Sequence, residues 1–193
     1  MKFLAFPVVL ISLTMLARSG GSEKISCIYI AGFENKSDYH EKGNQLEKKL
    51  LCTIKEILKE KGLQVKNDKK DCDYLLEGTV LLFSLEKNNE IIPFVNRWRN
   101  VVTALVQVRI KLSDSKNRHV ILDTKELSEL TRKGKERVDF NVEKETLDEM
   151  ELNETIRFDT GFDDSLIGRC TRTALERLSD KVVAAICEYR QGK

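Results

Sequence analysis

The chain has 193 residues, with 33 basic against 31 acidic side chains and a formal net charge of +2. Its 41% apolar and 33% charged residues suit a globular domain rather than a disordered chain, and the length leaves room for one domain of ordinary size. Charges of both signs are spread throughout with no basic block, which gives no case for nucleic acid or an anionic membrane surface as partner.

The first residues read as an address rather than as structure. Met1 and Lys2 form a short positive end, Phe3 to Leu16 is an uncharged apolar run, and Ala17 and Ser19 satisfy the small-x-small rule for cleavage. The run is shorter than the roughly 20 residues a spanning helix needs, so residues 1–19 are expected to be a secretory signal peptide, with an uncleaved anchor as the alternative. The mature chain, 20–193, is then a single exported α/β domain beginning near Gly20. Cys27 lies well past the apolar run, and no cysteine stands at lipobox spacing, so membrane attachment through a lipidated cysteine is not expected.

In chain order, residues 25–33 predict a buried strand. From Gly43 the period changes: Leu46, Leu50, Leu51, Ile54, Ile57 and Leu58 recur at steps of three and four. They define an amphipathic helix that Gly62 stops. "LQV" at 63–65 predicts a short strand and Tyr74 to Leu85 a longer one, in which Gly78 marks a bulge or a close approach. "NNEIIPFVNRWRN" reads as a loop, because Pro93 bars a central strand. Val102, Ala104, Val106, Val108, Ile110 and Leu112 share one parity, the alternation of a half-buried strand, and "RHVILDTKELSE" returns from a turn at 114–117. Residues 131–160 are highly charged yet alternate, as a second, exposed hairpin or an arm. Asp163, Asp164 and Ser165 are N-cap candidates for a long amphipathic helix that runs to the end of the chain. The fold class predicted is a two-layer α/β (α+β) sandwich: a mixed or largely antiparallel sheet of about five strands with both helices on one face.

Little in the sequence points to catalysis. Its serines lack a nucleophile elbow, its two histidines (His40, His119) stand apart from partner motifs, and no phosphate-binding glycine loop occurs. Carboxylate pairs such as Asp71 with Asp73 and Asp163 with Asp164 lie in charged segments suited to helix caps and solvated faces. No catalytic, metal-binding or cofactor-binding residue is therefore assigned, and no cofactor is expected. Five cysteines (Cys27, Cys52, Cys72, Cys170, Cys187) form no CxxC pair. Their odd number leaves at least one without an intrachain partner, Cys170 and Cys187 lie too far apart along one helix to bond, and no pairing is assigned. Trp98, between Arg97 and Arg99, is a candidate partner contact, with an edge aromatic closing the sheet as the equal alternative.

Three short motifs carry a resemblance. The first strand ends in "FENKS" with Phe33, Asn35 and Ser37; "DYLLEG" contributes Asp73, Tyr74 and Gly78; and "DSLIGRCTRTALERL" opens the last helix with Ser165, Gly168, Thr171 and Arg172. Together they resemble an α/β domain shared by bacterial envelope proteins. These are the curli-secretion channel family, the lipopolysaccharide-transport lipoprotein, the penicillin-binding protein activators and the N-terminal domain of the Tol-Pal translocation protein. The last motif is most similar to the curli-secretion family. The lipidated cysteine of the curli-secretion and lipopolysaccharide-transport proteins is missing here, and residues 137–158 are more charged than a membrane-spanning hairpin.

The resemblance implies a non-enzymatic periplasmic protein, free or on the periplasmic face of the outer membrane. It would bind envelope protein partners or further copies of itself in secretion or outer-membrane assembly, and not nucleic acid. A lipopolysaccharide-transport-like accessory role is the alternative. The rival from another class is a hydrolase whose carboxylates come from the 34–41 loop and residues 159–164.

Overall fold

A computed structural model describes residues 26–40, 44–70, 72–92, 97–134, 156, 158 and 161–192. Its elements are β1 (Cys27–Asn35), α1 (Gln45–Glu60), β2 (Gln64–Lys66), β3 (Tyr74–Ile92), β4 (Arg97–Asp114), β5 (Val120–Lys133) and α2 (Leu166–Gln191). The five strands form one mixed sheet in the order β2-β1-β3-β4-β5. β1 runs parallel to both β2 and β3, and β3, β4 and β5 follow one another antiparallel. This is the predicted sandwich, with the parallel pairing confined to the β1 side.

Both helices lie on one face of the sheet, α1 over β1 and β2 and α2 over β4 and β5, and they touch each other along the middle. The helical spacing read from the sequence puts Leu46, Leu50, Ile54, Ile57 and Leu58 of α1 into the core, and Leu166, Ile167, Cys170, Ala174, Leu175, Leu178, Val182 and Ile186 of α2. Beneath them the even-numbered residues of β4, Val102 to Leu112, are all buried. Each fully buried Leu or Ile contributes roughly 1.5–3 kcal/mol of transfer free energy, so this layer is the main favourable term of the fold. Buried hydroxyls inside the helices are satisfied locally: Thr171 donates to Ile167 O at 2.8 Å and Ser179 to Leu175 O at 2.7 Å.

Helix ends follow their local chemistry. Gly62, at φ 84°, closes α1. Its N–H donates to Lys59 O at 2.9 Å and Leu63 N–H to Leu58 O at 3.0 Å, the Schellman arrangement. At α2, Ser165 Oγ accepts from Gly168 N–H at 3.0 Å and donates to Phe162 O at 2.6 Å. A side chain on Gly168 would run into the Phe162 carbonyl. Lys49–Asp163 at 2.6 Å ties α1 to the segment ahead of α2, while Lys61–Asp180 at 2.5 Å and Arg172–Glu60 at 3.6 Å link the helices to each other. On β5, Glu126 accepts from Lys181 at 2.7 Å and Arg177 at 3.4 Å, which clamps that edge to α2. The Lys181 hydrogen bond is the largest influence holding the Glu126 carboxyl below its usual 4.5.

The strands differ from the sequence reading in three places. The described parts of "NNEIIPFVNRWRN", residues 88–92 and 97–100, are strand rather than loop. β3 continues to Ile92 and β4 begins at Arg97, paired Ile92 to Arg97 and Ile91 to Trp98. The hairpin's own ladder therefore carries this polar stretch beyond the last β4–β5 pair, Val101 with Lys133, and residues 93–96 lie outside the described residues. At Gly78 the close approach holds and the bulge does not: the extra residues are Ala31 in β1 and Leu81 in β3, and the missing side chain makes room for the Phe33 ring. Finally, β5 extends through residues 131–133. Most of the 131–160 stretch expected as a hairpin or arm lies outside the described residues, but Ile156 and Phe158 pack on the core.

Gly168→Ala is expected to cost about 1–3 kcal/mol, because a backbone carbonyl cannot rotate away from the added methyl. Gly78→Ala falls in the same range, but combined with Phe33→Leu it costs less than the two single changes together; urea denaturation of the four proteins measures the coupling. Because the carboxyl of Glu126 titrates lower in the folded chain, its contribution is complete above its usual pKa and is lost as pH falls through the depressed value. Glu126→Gln should therefore reduce stability by about 1 kcal/mol at neutral pH and less in acid, in denaturation curves recorded from pH 7 to pH 3.

Candidate functional site

The opposite face of the sheet carries no helix among the described residues, and strand register decides which side chains meet there. Lys111 of β4 lies opposite Glu77 of β3 and Asp123 of β5, and Arg109 opposite Thr79 and Lys125. On the other side of β3, Gly32 pairs with Glu77 and Glu34 with Thr79. The extra residue Ala31 breaks the regular pleat of β1, and Gly32 takes a positive φ of 138° that side chains disfavour. A hollow of about 560 Å³ results, bordered by Gly32, Glu34, Lys36, Glu77, Arg109 and Lys111.

Charges of both signs line this hollow. Arg109 grips Asp123 with two hydrogen bonds, Nε to Oδ1 at 2.7 Å and Nη2 to Oδ2 at 2.6 Å. That contact lowers the Asp123 carboxyl and raises the Arg109 guanidinium from their ordinary values. Lys36 reaches Glu34 at 3.0 Å. Farther along the same face Leu82 lies opposite Gln107, which lies opposite Leu127, and Leu127 is 47% exposed. A polar hollow continuing into half-buried Leu82 and exposed Leu127 suits the irregular, amphipathic surface of a protein partner. Exposed carboxylates held by cations lack the desolvated setting that raises a general acid's pKa.

The motif residues do structural work at three separate places. At the end of β1, Asn35 Oδ1 accepts from Ser37 N–H at 3.0 Å and Ser37 Oγ at 2.7 Å, and Asn35 Nδ2 donates to Tyr39 O at 2.7 Å. This network turns the chain and buries Ser37. At the start of β1, Asp73 Oδ2 accepts from Cys27 N–H at 3.2 Å, and the buried Tyr74 ring meets Tyr189 edge-on at 6.5 Å. Tyr189 in turn donates to Asp114 at 3.0 Å. Ser165, Gly168 and Thr171 shape α2, whereas Arg172 makes the ion pair to Glu60 and another to Glu176 at 2.9 Å. Of these residues, only Phe33 and Gly78 border the hollow.

Arg97, Trp98 and Arg99 are strand residues, not loop residues. Arg99 Nε donates to Glu90 across the hairpin at 2.7 Å, and Lys133 approaches the same carboxylate at 3.4 Å. Its hydrogen bond with Arg99 holds Glu90 low. Beside this pair Ile91 is 66% exposed.

The two loops of the hydrolase reading do converge, but through rings. Tyr39 lies 5.1 Å from Phe83 and 6.2 Å from Phe158, and Phe158 stacks on Phe162 at 5.1 Å. Asp163 is engaged by Lys49; Glu41, Asp159 and Thr160 lie outside the described residues. Among the described residues no three His, Cys, Asp or Glu side chains gather as a metal site, and no helix is long and apolar enough to cross a membrane.

No family model matches the chain, and no curated protein matches it. Its fold is similar to that of the hypothetical protein CT253 from Chlamydia trachomatis, with a TM-score of 0.53 at 9% identity over 85% of this chain and 99% of that one. Weaker likenesses are found to the PelC dodecamer from Paraburkholderia phytofirmans (TM-score 0.43, 13% identity, 79% of this chain and 85% of that one). Lipoprotein GNA1162 from Neisseria meningitidis is another (TM-score 0.37, 16% identity, 66% and 92%).

Because its ion pairs are solvated, the open face should contribute little to folding. Arg109→Ala and Asp123→Ala are each expected to leave the midpoint of chemical denaturation unchanged within experimental error.

Proposed function

We propose that this chain is an exported domain of the bacterial envelope that works by binding, as a component of secretion or outer-membrane assembly related to the curli-secretion proteins. Residues 1–19 serve as its signal peptide, and residues 20–193 are the working domain on the periplasmic side. The observation that carries the reading is the one-sided sandwich. Both helices are spent on one face of the sheet, while the other face offers a charged hollow near the exposed Leu127. Pre-formed β-surfaces of this kind hold a partner without rearrangement. The leader-like first residues and the three envelope motifs support the location.

Crosslinking in intact cells, followed by recovery of the chain from the envelope fraction and intact-mass analysis, tests the reading. The expected product lacks residues 1–19 and carries crosslinks whose yield falls at least fivefold in an Arg109→Glu/Lys111→Glu variant of unchanged thermal stability. Recovery from the cytoplasm with the leader intact, or crosslinks indifferent to the charge reversal, would falsify it.

A further inference from the structure

Two of the five cysteines meet where β1 and β3 begin. Cys27 opens β1 and Cys72 stands two residues ahead of β3; both are thiols in this structure, both are buried, and their Sγ atoms are 2.9 Å apart. The backbone on either side is fixed. Cys27 N–H donates to Asp73 Oδ2 at 3.2 Å, Asp73 N–H donates to Cys27 O at 3.0 Å, and Ser115 Oγ donates to Cys72 O. The parallel ladder starts one residue beyond Cys27, with Ile28 opposite Tyr74, so the two cysteines leave strands about 4.8 Å apart. Cys72 stands one step, about 3.3 Å, off the register of Cys27, so a diagonal of roughly 6 Å separates their Cα atoms. This lies inside the range a disulfide spans, and closing the sulfurs to about 2.05 Å needs a movement of under about 1 Å. The other three are placed differently. Cys170 donates to Ser128 O at 3.2 Å inside the core, and Cys52 and Cys187 are exposed on the two helices.

We propose that Cys27 and Cys72 are a disulfide-forming pair that, when oxidised by a disulfide donor, staples the start of β1 to the start of β3. One cysteine thiolate attacks the donor's S–S bond, releasing one donor thiol and leaving a mixed disulfide on the protein. The second thiolate attacks the protein sulfur of that intermediate and expels the second donor thiol. Two protein thiols are oxidised to one disulfide, the donor disulfide is reduced to two thiols, and the two cysteine protons end on the donor's sulfurs. Burial, reinforced by the neighbouring Cys27 sulfur, lifts the Cys72 thiol to about 12. The folded, reduced protein therefore presents little thiolate, and the bond forms chiefly before β1 and β3 close or when they open. Once made, it encloses β1, α1 and β2 in one covalent loop, which restricts the unfolded chain most where the parallel pairing demands long-range closure.

The chemistry belongs to the isolated protein, so its test succeeds or fails independently of the envelope reading. A Cys52→Ser/Cys187→Ser variant, which removes both exposed thiols, is purified reduced and equilibrated with oxidised glutathione. It is then denatured, alkylated with N-ethylmaleimide and digested for mass spectrometry. The expected result is a Cys27–Cys72 linked peptide, alkylation at Cys170 alone, and a thermal midpoint roughly 5–15 °C above that of the same protein in dithiothreitol. Adding Cys72→Ser abolishes the linked peptide and the redox dependence of the midpoint. Should that variant fail to fold, the oxidised-minus-reduced midpoint of the parent still decides. Alkylation of both Cys27 and Cys72 after oxidation, a link from either to Cys170, or a linked protein with an unchanged midpoint overturns the proposal.

Discussion

The junction of β1 with β3 is the constraint on which the rest of the sheet depends. β3, β4 and β5 can assemble through local antiparallel turns, but β1 reaches β3 only after the chain has passed through α1 and β2. Parallel pairing of that kind pays its loop closure before any contact repays it. The sequence places specific contacts at both ends of the joint. At one end Asp73 exchanges hydrogen bonds with Cys27; at the other the Phe33 ring fills the space left by Gly78. Lys36 N–H extends the ladder to Val80 O at 2.9 Å, and the Asn35–Ser37 turn then sends the chain towards α1. With β1 placed, α1 is placed, and α1 with α2 closes the core.

Putting both helices on one side has a consequence for the other. Charged residues at the odd positions of β4 sit opposite neighbours on β3 and β5, and Arg109 and Asp123 pair across the surface. Such contacts cost little to desolvate and add little stability. They also keep a flat β-surface soluble, since alternating charge discourages sheet-to-sheet association. The bulge at Ala31 turns part of that surface into a hollow. The packed core thus occupies one face of the sheet and an open, charged surface the other, with few side chains shared between them.

Much of the helical layer was legible in sequence because burial and helical period coincide. The stop at Gly62, the cap at Ser165 and the buried parity of β4 each follow from local chemistry that needs no partner. The strand residues flanking 93–96 were misread because Asn88, Asn89 and Glu90 are polar and Asn is a local turn signal. A long antiparallel partner overrides that signal when both strands continue in register. Gly78 was recognisable as special, but the reason was a ring more than forty positions away. For the candidate site the limit was stricter: Glu77, Arg109, Lys111 and Asp123 fall within three predicted strands, and nothing in the chain order says that they share a surface.

By itself, then, the amino-acid order determined what depends on near neighbours: two amphipathic helices with their caps and the half-buried β4. Tertiary structure alone decided what depends on register and crossover. It set the strand order β2-β1-β3-β4-β5, seated Phe33 on Gly78, brought Cys27 to Cys72 and gathered the charges around the hollow. The physical reason is the period of a strand. Alternation tells which side chains share a face, but a shift of one residue in pairing exchanges the faces, and only packed helices on one side make that choice final.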